Sequence, residues 1–177
     1  HMTINMVAPA ESISSETRID NLAVVMRRGG VIYDISGNTV GEVLADAVSR
    51  MNFINGDKQK NRVLENLMDR EDMMSTGVGK GVAIPHPRTP FSDMEIPSTI
   101  TTCFLRDPVD YKALDGQPVF VLFVLMAPSA KLHLHLLARL SFCLRNNDFI
   151  SFLRRVPEEK DFYQYIEWFE LHMLSEK

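Results

Sequence analysis

The chain has 177 residues, 45% of them apolar, which suits one domain with a sizeable core. Its formal net charge of −4 gives it no basic surplus, so we expect these residues to bind no nucleic acid. The longest apolar run, 119–127, is much shorter than a membrane-spanning helix, so we expect no membrane insertion. Cys103 and Cys143 lie in apolar runs without a signal peptide before them, which predicts buried, reduced thiols in a cytoplasmic protein.

The first 28 residues are predicted to form an N-terminal arm followed by a connector helix. His1-Met2 is typical of the remnant that tag removal leaves. Apolar residues at helical spacing favour a helix over Ser14–Arg28, and the glycine pair after it ends that helix. The folded domain is accordingly predicted over 29–177.

Helices and strands alternate along the rest of the chain. A continuous apolar strand over 119–126 indicates burial on both faces of a sheet. The sequence therefore predicts an α/β fold, a three-layer sandwich in which helices cover both faces of a mixed β-sheet. The predicted elements are strand 31–35, helix 40–51 behind a Thr39/Glu42 capping box, a helix from Asp57 to about Glu71, strands 99–105 and 119–126, helix 132–144, and short helices from Phe149 and from Pro157.

A glycine-rich stretch over 75–81 leads into a short apolar run and then into His86. Pro85 and Pro87 flank this histidine and keep it out of α geometry, which favours a rigid strand end at the lip of a cleft. A neutral imidazole held there is a good nucleophile near pH 7. A solvent-exposed turn histidine remains the alternative.

His133 and His135 lie two residues apart in a segment with helical spacing. On a helix they point about 200° apart, because a turn has about 3.6 residues. His133 shares its face with an apolar stripe and is therefore the one that can meet His86. A core histidine bonded to a carbonyl is the alternative, and a metal site lacks a third ligand at suitable spacing. The stripe consists of Leu136, Leu137, Leu140 and Leu144.

Several polar residues near the glycine-rich stretch allow two interpretations each. Arg70 fits a solvated helix end as well as an anion contact. Ser75 and Thr76 are potential helix caps or donors to an anion. Lys80 lies in a stretch that lacks the spacing of a P-loop, so nucleotide binding is not predicted. Arg88 fits a surface position or a cation near the histidine.

Four motifs occur in a fixed order, and together they resemble the enzyme IIA domain of the fructose/mannitol class (type 2) of the bacterial phosphoenolpyruvate-dependent sugar phosphotransferase system. This class includes the nitrogen-regulatory IIA proteins, and the resemblance covers roughly residues 30–172. The motifs are Glu65-Asn-Leu-Met-Asp-Arg-Glu, Ser75-Thr-Gly-Val-Gly-Lys-Gly-Val-Ala-Ile-Pro-His-Pro-Arg, Leu114-Asp-Gly-Gln-Pro-Val and His133-Leu-His-Leu-Leu-Ala-Arg-Leu.

The resemblance implies a set of site residues. It makes His86 the phosphorylated histidine, His133 the second active-site histidine, and Arg70 the arginine before the Ser-Thr-Gly motif. No metal or bound cofactor is implied, because the donor protein brings the phosphate. The further candidate phosphate-binding residues are Ser75, Thr76 and Arg88.

The expected function is that of a phosphotransferase, a carrier that accepts phosphate from the histidine phosphocarrier protein HPr or a paralogue. The phosphate then passes to a IIB domain, or its presence regulates a partner protein. The alternative is a non-catalytic regulatory or ligand-binding module attached to a DNA-binding domain. The His-Leu-His-Leu-Leu form is similar to IIA domains behind such modules, so a DNA-binding module upstream of this sequence is a further expectation.

Overall fold

The computed structural model describes residues 20–91 and 93–174 of the chain. That part of the chain contains six α-helices, one π-helical turn and five β-strands. They are α1 (Leu22–Gly29), β1 (Val31–Ile35), α2 (Val40–Ser49), α3 (Gly56–Met73), β2 (Gly77–Gly79), β3 (Val82–Ala83), β4 (Thr99–Val109), β5 (Val119–Met126), α4 (Ala130–Leu144), α5 (Asn147–Arg154), α6 (Glu159–Phe169) and the π-helical turn (Glu170–Leu174).

The five strands form one mixed sheet in the order β1-β4-β5-β3-β2. The central β4 and β5 pair antiparallel, whereas β1 joins β4 and β3 joins β5 in parallel. Strand β4 runs through Asp107-Pro108 to Val109, four residues beyond the predicted end at 105. The ladder shifts register between Phe104 and Val109, and this irregularity accommodates a proline that cannot donate a hydrogen bond.

Strand β5 divides the core into two apolar layers. Val121, Phe123 and Leu125 pack with α1, α4, α5 and α6 on one face of the sheet. Leu122 and Val124 pack with α2 and α3 on the opposite face. Because alternate side chains of a strand point to opposite faces, this division confirms the predicted three-layer α/β sandwich.

Helix α1 belongs to the first of these layers. Its N-cap is Asn21, whose side chain accepts from the Val24 amide, so α1 begins at Leu22. Leu22, Val25 and Met26 are fully buried in the core. The apolar face of α1, which precedes the boundary predicted after Arg28, therefore covers the sheet. Residues 3–19 of the predicted arm and helix lie outside the described residues.

The C-terminal elements are rich in aromatic residues and lie against α1. Helix α6 begins at Glu159, two residues after Pro157. Trp168 near its end is half exposed, and its ring stacks on the His172 ring at a centroid distance of 5.1 Å. Glu170 opens the π-helical turn and accepts from the amides of Leu22 and Ala23, at 2.6 and 2.9 Å. The two ends of the described chain are thereby joined.

Both cysteines are free and buried, as the apolar runs around them predicted. Cys103 lies in β4 and Cys143 in α4. Burial raises the pKa of each thiol to about 12, so neither is reactive near neutral pH. No helix in the described residues is long and apolar enough to cross a bilayer.

Candidate active site

His86 stands where the short strand β3 runs out. The parallel pairing of β3 with β5 continues past Ala83, because the Leu125 amide donates to the Pro85 carbonyl at 2.9 Å. The backbone is thus fixed by the sheet up to the residue before the histidine, and Pro87 fixes it on the other side. The structure places His86 at a strand end beside a cavity, as predicted.

One hydrogen bond sets the tautomer of His86. Its Nδ1 lies 2.9 Å from the Ile84 carbonyl oxygen. A carbonyl oxygen only accepts, so Nδ1 carries the proton and donates it. In the neutral ring the lone pair is then on Nε2, which is the nucleophilic atom.

His133 lies next to His86, in the first turn of α4. Ser129 caps this helix by accepting from the Leu132 amide at 3.3 Å. The two imidazole rings are 4.7 Å apart between centroids and tilted by 47°. His133 lines the same cavity as His86, and His135 does not. The helical interpretation that selected His133 over His135 therefore agrees with the structure.

Arg70 approaches the two histidines from the last turn of α3. Its guanidinium donates to the Met74 carbonyl at 2.6 Å, which holds the side chain over the end of its own helix. The cavity has a volume of about 180 Å³. It is smaller than a typical drug-sized pocket of about 300–1,000 Å³, and a phosphoryl group is a better match in size. Its walls are formed by Arg70, His86, Pro87, Arg88, Pro90, Ala127, Ala130 and His133.

The surroundings favour the neutral form of both histidines. Burial lowers the pKa of His86, and the nearby Arg70 charge lowers it further, while the bond to Ile84 acts in the opposite direction. Burial also lowers the pKa of His133, and His86 and Arg70 add to the effect. Both shifts increase the fraction of neutral imidazole, and a neutral His86 keeps the Nε2 lone pair available.

The predicted phosphate-binding residues divide into two groups. Arg88 lines the cavity, but Ser75 and Thr76 do not. The Ser75 hydroxyl donates to the Tyr111 carbonyl, and the buried Thr76 hydroxyl donates to Glu71. The hydroxyls of Ser75 and Thr76 thus fix the loop that precedes β2 in this structure, and a phosphate-binding role for these two residues stays a prediction.

Lys80 also has a structural role. Its Nζ donates to the Arg145 carbonyl and to the Asn147 side chain, at 3.3 and 3.2 Å. A cation at this position satisfies a carbonyl at the C-terminal end of α4 and interacts favourably with the helix dipole.

Sequence reasoning missed the two partners of the Ser75-Thr76 loop, Glu71 and Tyr111. Glu71 directly follows Arg70, but nothing in the local sequence pairs it with a particular donor. Tyr111 is 36 residues beyond Ser75, and only the fold brings them together. Within the described residues, no group of three His, Cys, Asp or Glu side chains is arranged to hold a metal ion.

Comparison with known proteins agrees with this geometry. The family model described as "Phosphoenolpyruvate-dependent sugar phosphotransferase system, EIIA 2" matches residues 25–168. A nitrogen regulatory protein of Pseudomonas aeruginosa is 41% identical to this chain over 106 residues, which cover 59% of this chain and 67% of that protein.

Solved structures share the fold. The nitrogen regulatory protein IIA-Ntr from Neisseria meningitidis matches with a TM-score of 0.71 at 25% identity, over 81% of this chain and 97% of its own. The complex of enzyme IIA-Mtl and phosphorylated enzyme IIB-Mtl from Escherichia coli matches with a TM-score of 0.63 at 13% identity, over 77% of this chain and 93% of the matched chain. Because the family match spans α2 to α5 and includes both histidines and Arg70, this chain belongs to the EIIA type 2 family of the phosphoenolpyruvate-dependent sugar phosphotransferase system.

Proposed function

We propose that Nε2 of His86 accepts a phosphoryl group from the phosphohistidine of an HPr-like phosphocarrier protein and later passes it to a second protein. The observation that carries the proposal is the hydrogen bond from Nδ1 to the Ile84 carbonyl, which leaves the Nε2 lone pair for the attack. The site needs no bound cofactor for this step, because the donor protein supplies the phosphoryl group.

The transfer replaces one phosphorus–nitrogen bond by another. The Nε2 lone pair of His86 forms a bond to phosphorus while the bond to the donor histidine breaks, and the donor nitrogen keeps the electron pair. The group in transit carries negative charge on three oxygens, so positioned cations and N–H donors lower the barrier. We assign this role to Arg70 and Arg88, and to His133 with the N-terminal end of α4.

The receiving protein is either a IIB domain or a regulated partner. The IIA-Mtl relative of known structure forms a complex with a phosphorylated IIB enzyme, which supports the first choice. The match to a nitrogen regulatory protein supports the second, in which the phosphorylation state of His86 is the signal and no sugar moves. Two free, buried cysteines suit a cytoplasmic location for either pathway.

Phosphorylation by a purified donor system tests the proposal. The chain is incubated with phosphoenolpyruvate, enzyme I and HPr, and the acid-labile phosphate is mapped by mass spectrometry under alkaline conditions. We expect one phosphoryl group on His86 and none on a His86→Gln variant. Label on His133 or His135 with His86 unmodified would refute the assignment. A chain that takes no label from any donor would instead support the alternative, a non-catalytic regulatory or ligand-binding module.

The same assay tests Arg70. We expect Arg70→Ala to slow phosphoryl transfer by about 10²-fold, the range observed when one charge-stabilising donor is removed. The thermal midpoint should change little, because the side chain is solvent-accessible and its hydrogen bond is local to the helix end. A large drop in the midpoint with an unchanged transfer rate would make Arg70 a structural residue.

A further inference from the structure

The transfer chemistry leaves one partly buried carboxylate beside the site without a function. Glu71 follows Arg70 in the last turn of α3, and its side chain turns toward the loop that leads to β2. It accepts from the Thr76 amide at 3.0 Å, from the Thr76 hydroxyl, and from the Tyr111 hydroxyl at 3.2 Å. Three donors from two separate segments therefore converge on one carboxylate.

This cluster continues into the nucleophile through the backbone. The Thr76 carbonyl accepts from the Ile84 amide at 3.0 Å. The Ile84 carbonyl in turn accepts from Nδ1 of His86 at 2.9 Å. Two hydrogen bonds, both made by Ile84, thus connect Thr76 with the His86 ring, and Thr76 is itself held by Glu71.

Tyr111 holds the neighbouring residue of the same loop. Its carbonyl accepts from the Ser75 hydroxyl, while its own hydroxyl donates to Glu71. Tyr111 is almost completely buried, so this segment is a fixed support. Glu71 and Tyr111 together hold the two loop residues whose hydroxyls do not reach the cavity.

The chemistry of the cluster requires an acceptor at position 71. An ionised carboxylate only accepts hydrogen bonds, and all three of its neighbours here are donors. Burial raises the pKa of Glu71, whereas the hydrogen bonds from Thr76 and Tyr111 and the charge of Arg70 oppose that shift. A group that is costly to bury and is matched by three donors is well suited to fix the position of a loop.

We propose that Glu71 is a positioning residue for phosphoryl transfer, which sets the orientation of the His86 ring relative to Arg70. It is joined to Arg70 through the peptide bond and to His86 through Thr76 and Ile84, so it links the cation and the nucleophile. This inference rests on the proposed function of His86 and adds a residue that does not touch the phosphoryl group.

The test compares Glu71→Gln with Asp72→Asn. Both changes remove one negative charge, but Asp72 is exposed and makes no side-chain hydrogen bond within the described residues. A glutamine keeps the shape of Glu71, but only one of its two terminal side-chain atoms accepts hydrogen bonds, whereas both oxygens of Glu71 do. We expect the rate of phosphoryl transfer from phospho-HPr to fall about tenfold or more in Glu71→Gln and to stay within twofold in Asp72→Asn.

Nuclear magnetic resonance of the His86 ring nitrogens distinguishes a changed orientation of the ring from a general loss of protein stability. In the parent protein we expect a protonated Nδ1 and an unprotonated Nε2, and in Glu71→Gln a mixture of the two tautomers. A rate within twofold of the parent, or a slow rate with parent-like ring signals, would overturn the proposal. If the parent protein takes no phosphate at all, the proposed function fails first, and the ring signals still report whether Glu71 orients His86.

A second pair of variants keeps the test decisive if Glu71→Gln fails to fold. Thr76→Val removes the hydroxyl with little change in volume, whereas Thr76→Ser keeps it. We expect Thr76→Val to show slow transfer and altered ring signals, and Thr76→Ser to restore both. Equal behaviour of the two variants would show that the bond from the Thr76 hydroxyl to Glu71 does not position the site.

Discussion

The proposed reactivity of His86 depends on the surroundings of a single ring. Pro85 and Pro87 fix the backbone, the Ile84 carbonyl fixes the proton on Nδ1, and burial together with Arg70 lowers the pKa. Burial and Arg70 favour the neutral ring, and the bond to Ile84, although it raises the pKa, places the lone pair of that neutral ring on Nε2.

The pH dependence of phosphoryl acceptance follows from that environment. Protonation of Nε2 removes the attacking lone pair, so the rate should be flat at neutral pH and fall only below the ordinary histidine value of 6.5. Arg70→Gln removes one cause of the lowered pKa and should move the inflection upward. Ring titration by nuclear magnetic resonance and transfer rates from pH 5 to 8 measure both. An inflection above 6.5 in the parent protein would contradict the prediction.

The same shifts affect stability. Because the pKa values of His86 and His133 are lower in the folded state, the unfolded chain binds more protons just below pH 6.5. The free energy of unfolding should therefore fall as the pH drops from 6.5 through the folded-state pKa values. Denaturant titrations at pH 7.5 and 5.5 test this sign. A His86→Gln/His133→Gln double variant should lose part of the dependence.

The two histidines of α4 provide a matched pair of variants. We expect His133→Ala to slow phosphoryl transfer by about 10²-fold, because it removes a donor next to His86. His135→Ala should transfer within twofold of the parent, since His135 does not line the cavity. Rates from rapid-mixing experiments with phospho-HPr measure the difference. Equal effects of the two substitutions would mean that the cavity is not the place of transfer.

The sequence predicts the histidines better than their surroundings. Two prolines around His86 and an apolar stripe next to His133 are local signals, so both positions could be inferred without a structure. The hydroxyls of Ser75 and Thr76 could not be assigned, because their partners are chosen by the fold. One acceptor is the carbonyl of the distant Tyr111, and the other is a carboxylate with no local signature.

Among the elements, α1 depends on a residue from the opposite end of the chain. The amides of Leu22 and Ala23 would lack partners in this buried place, since the first turn of a helix has no internal acceptors for them. Glu170 accepts from both, and Arg139 of α4 lies 3.3 Å from the same carboxylate. The first residue of α1 could not be predicted from the helical spacing of its apolar residues, because the carboxylate that accepts from its first amides is 148 residues away along the chain.

Replacement of Glu170 tests how far α1 depends on it. We expect Glu170→Gln to lower the free energy of unfolding by about 2–4 kcal/mol, since it leaves Arg139 without its charge partner and changes one acceptor into a donor. Glu167→Gln breaks the exposed pair with Arg27 and should cost about 0–1 kcal/mol. Urea titrations measure both values. Equal losses in the two variants would argue against a clamping role for Glu170.

At the scale of the whole molecule, one sheet supports two apolar layers that share no side chains. In the sequence β5 is a continuous apolar run, which indicates burial on both faces, so the three-layer architecture could be predicted. The extent of the packed unit did not follow, because the helical pattern of α1 reads the same for a core helix as for a connector.

Truncation distinguishes these two interpretations of α1. A chain that begins at Gly30 loses three fully buried side chains, those of Leu22, Val25 and Met26. At about 1.5–3 kcal/mol each, the loss is comparable to the whole stability of a typical domain of about 5–15 kcal/mol. We expect this chain to melt at a much lower temperature, or not to fold. A chain that begins at Asp20 keeps these side chains and should melt at a clearly higher temperature than the chain that begins at Gly30.

If α1 is only a connector that can be removed from the domain, the expected result is different. A chain from Gly30 with the parent's melting temperature would show that α1 contributes little to the domain. Circular dichroism at 222 nm follows the unfolding of both truncated chains. The rate of phosphoryl transfer from phospho-HPr to the same samples would then show whether the active site still functions without α1.

The stacked indole at the end of α6 gives the protein a built-in optical probe. Trp168 is the single tryptophan of the chain, and it lies against the Tyr165 and His172 rings, at 6.1 and 5.1 Å between centroids. Its fluorescence emission therefore reports the state of the C-terminal helix that clamps α1. The His86 cavity contains no tryptophan among its lining residues. Fluorescence of unlabelled protein thus follows the detachment of α1 and α6, while phosphorylation is followed separately at His86.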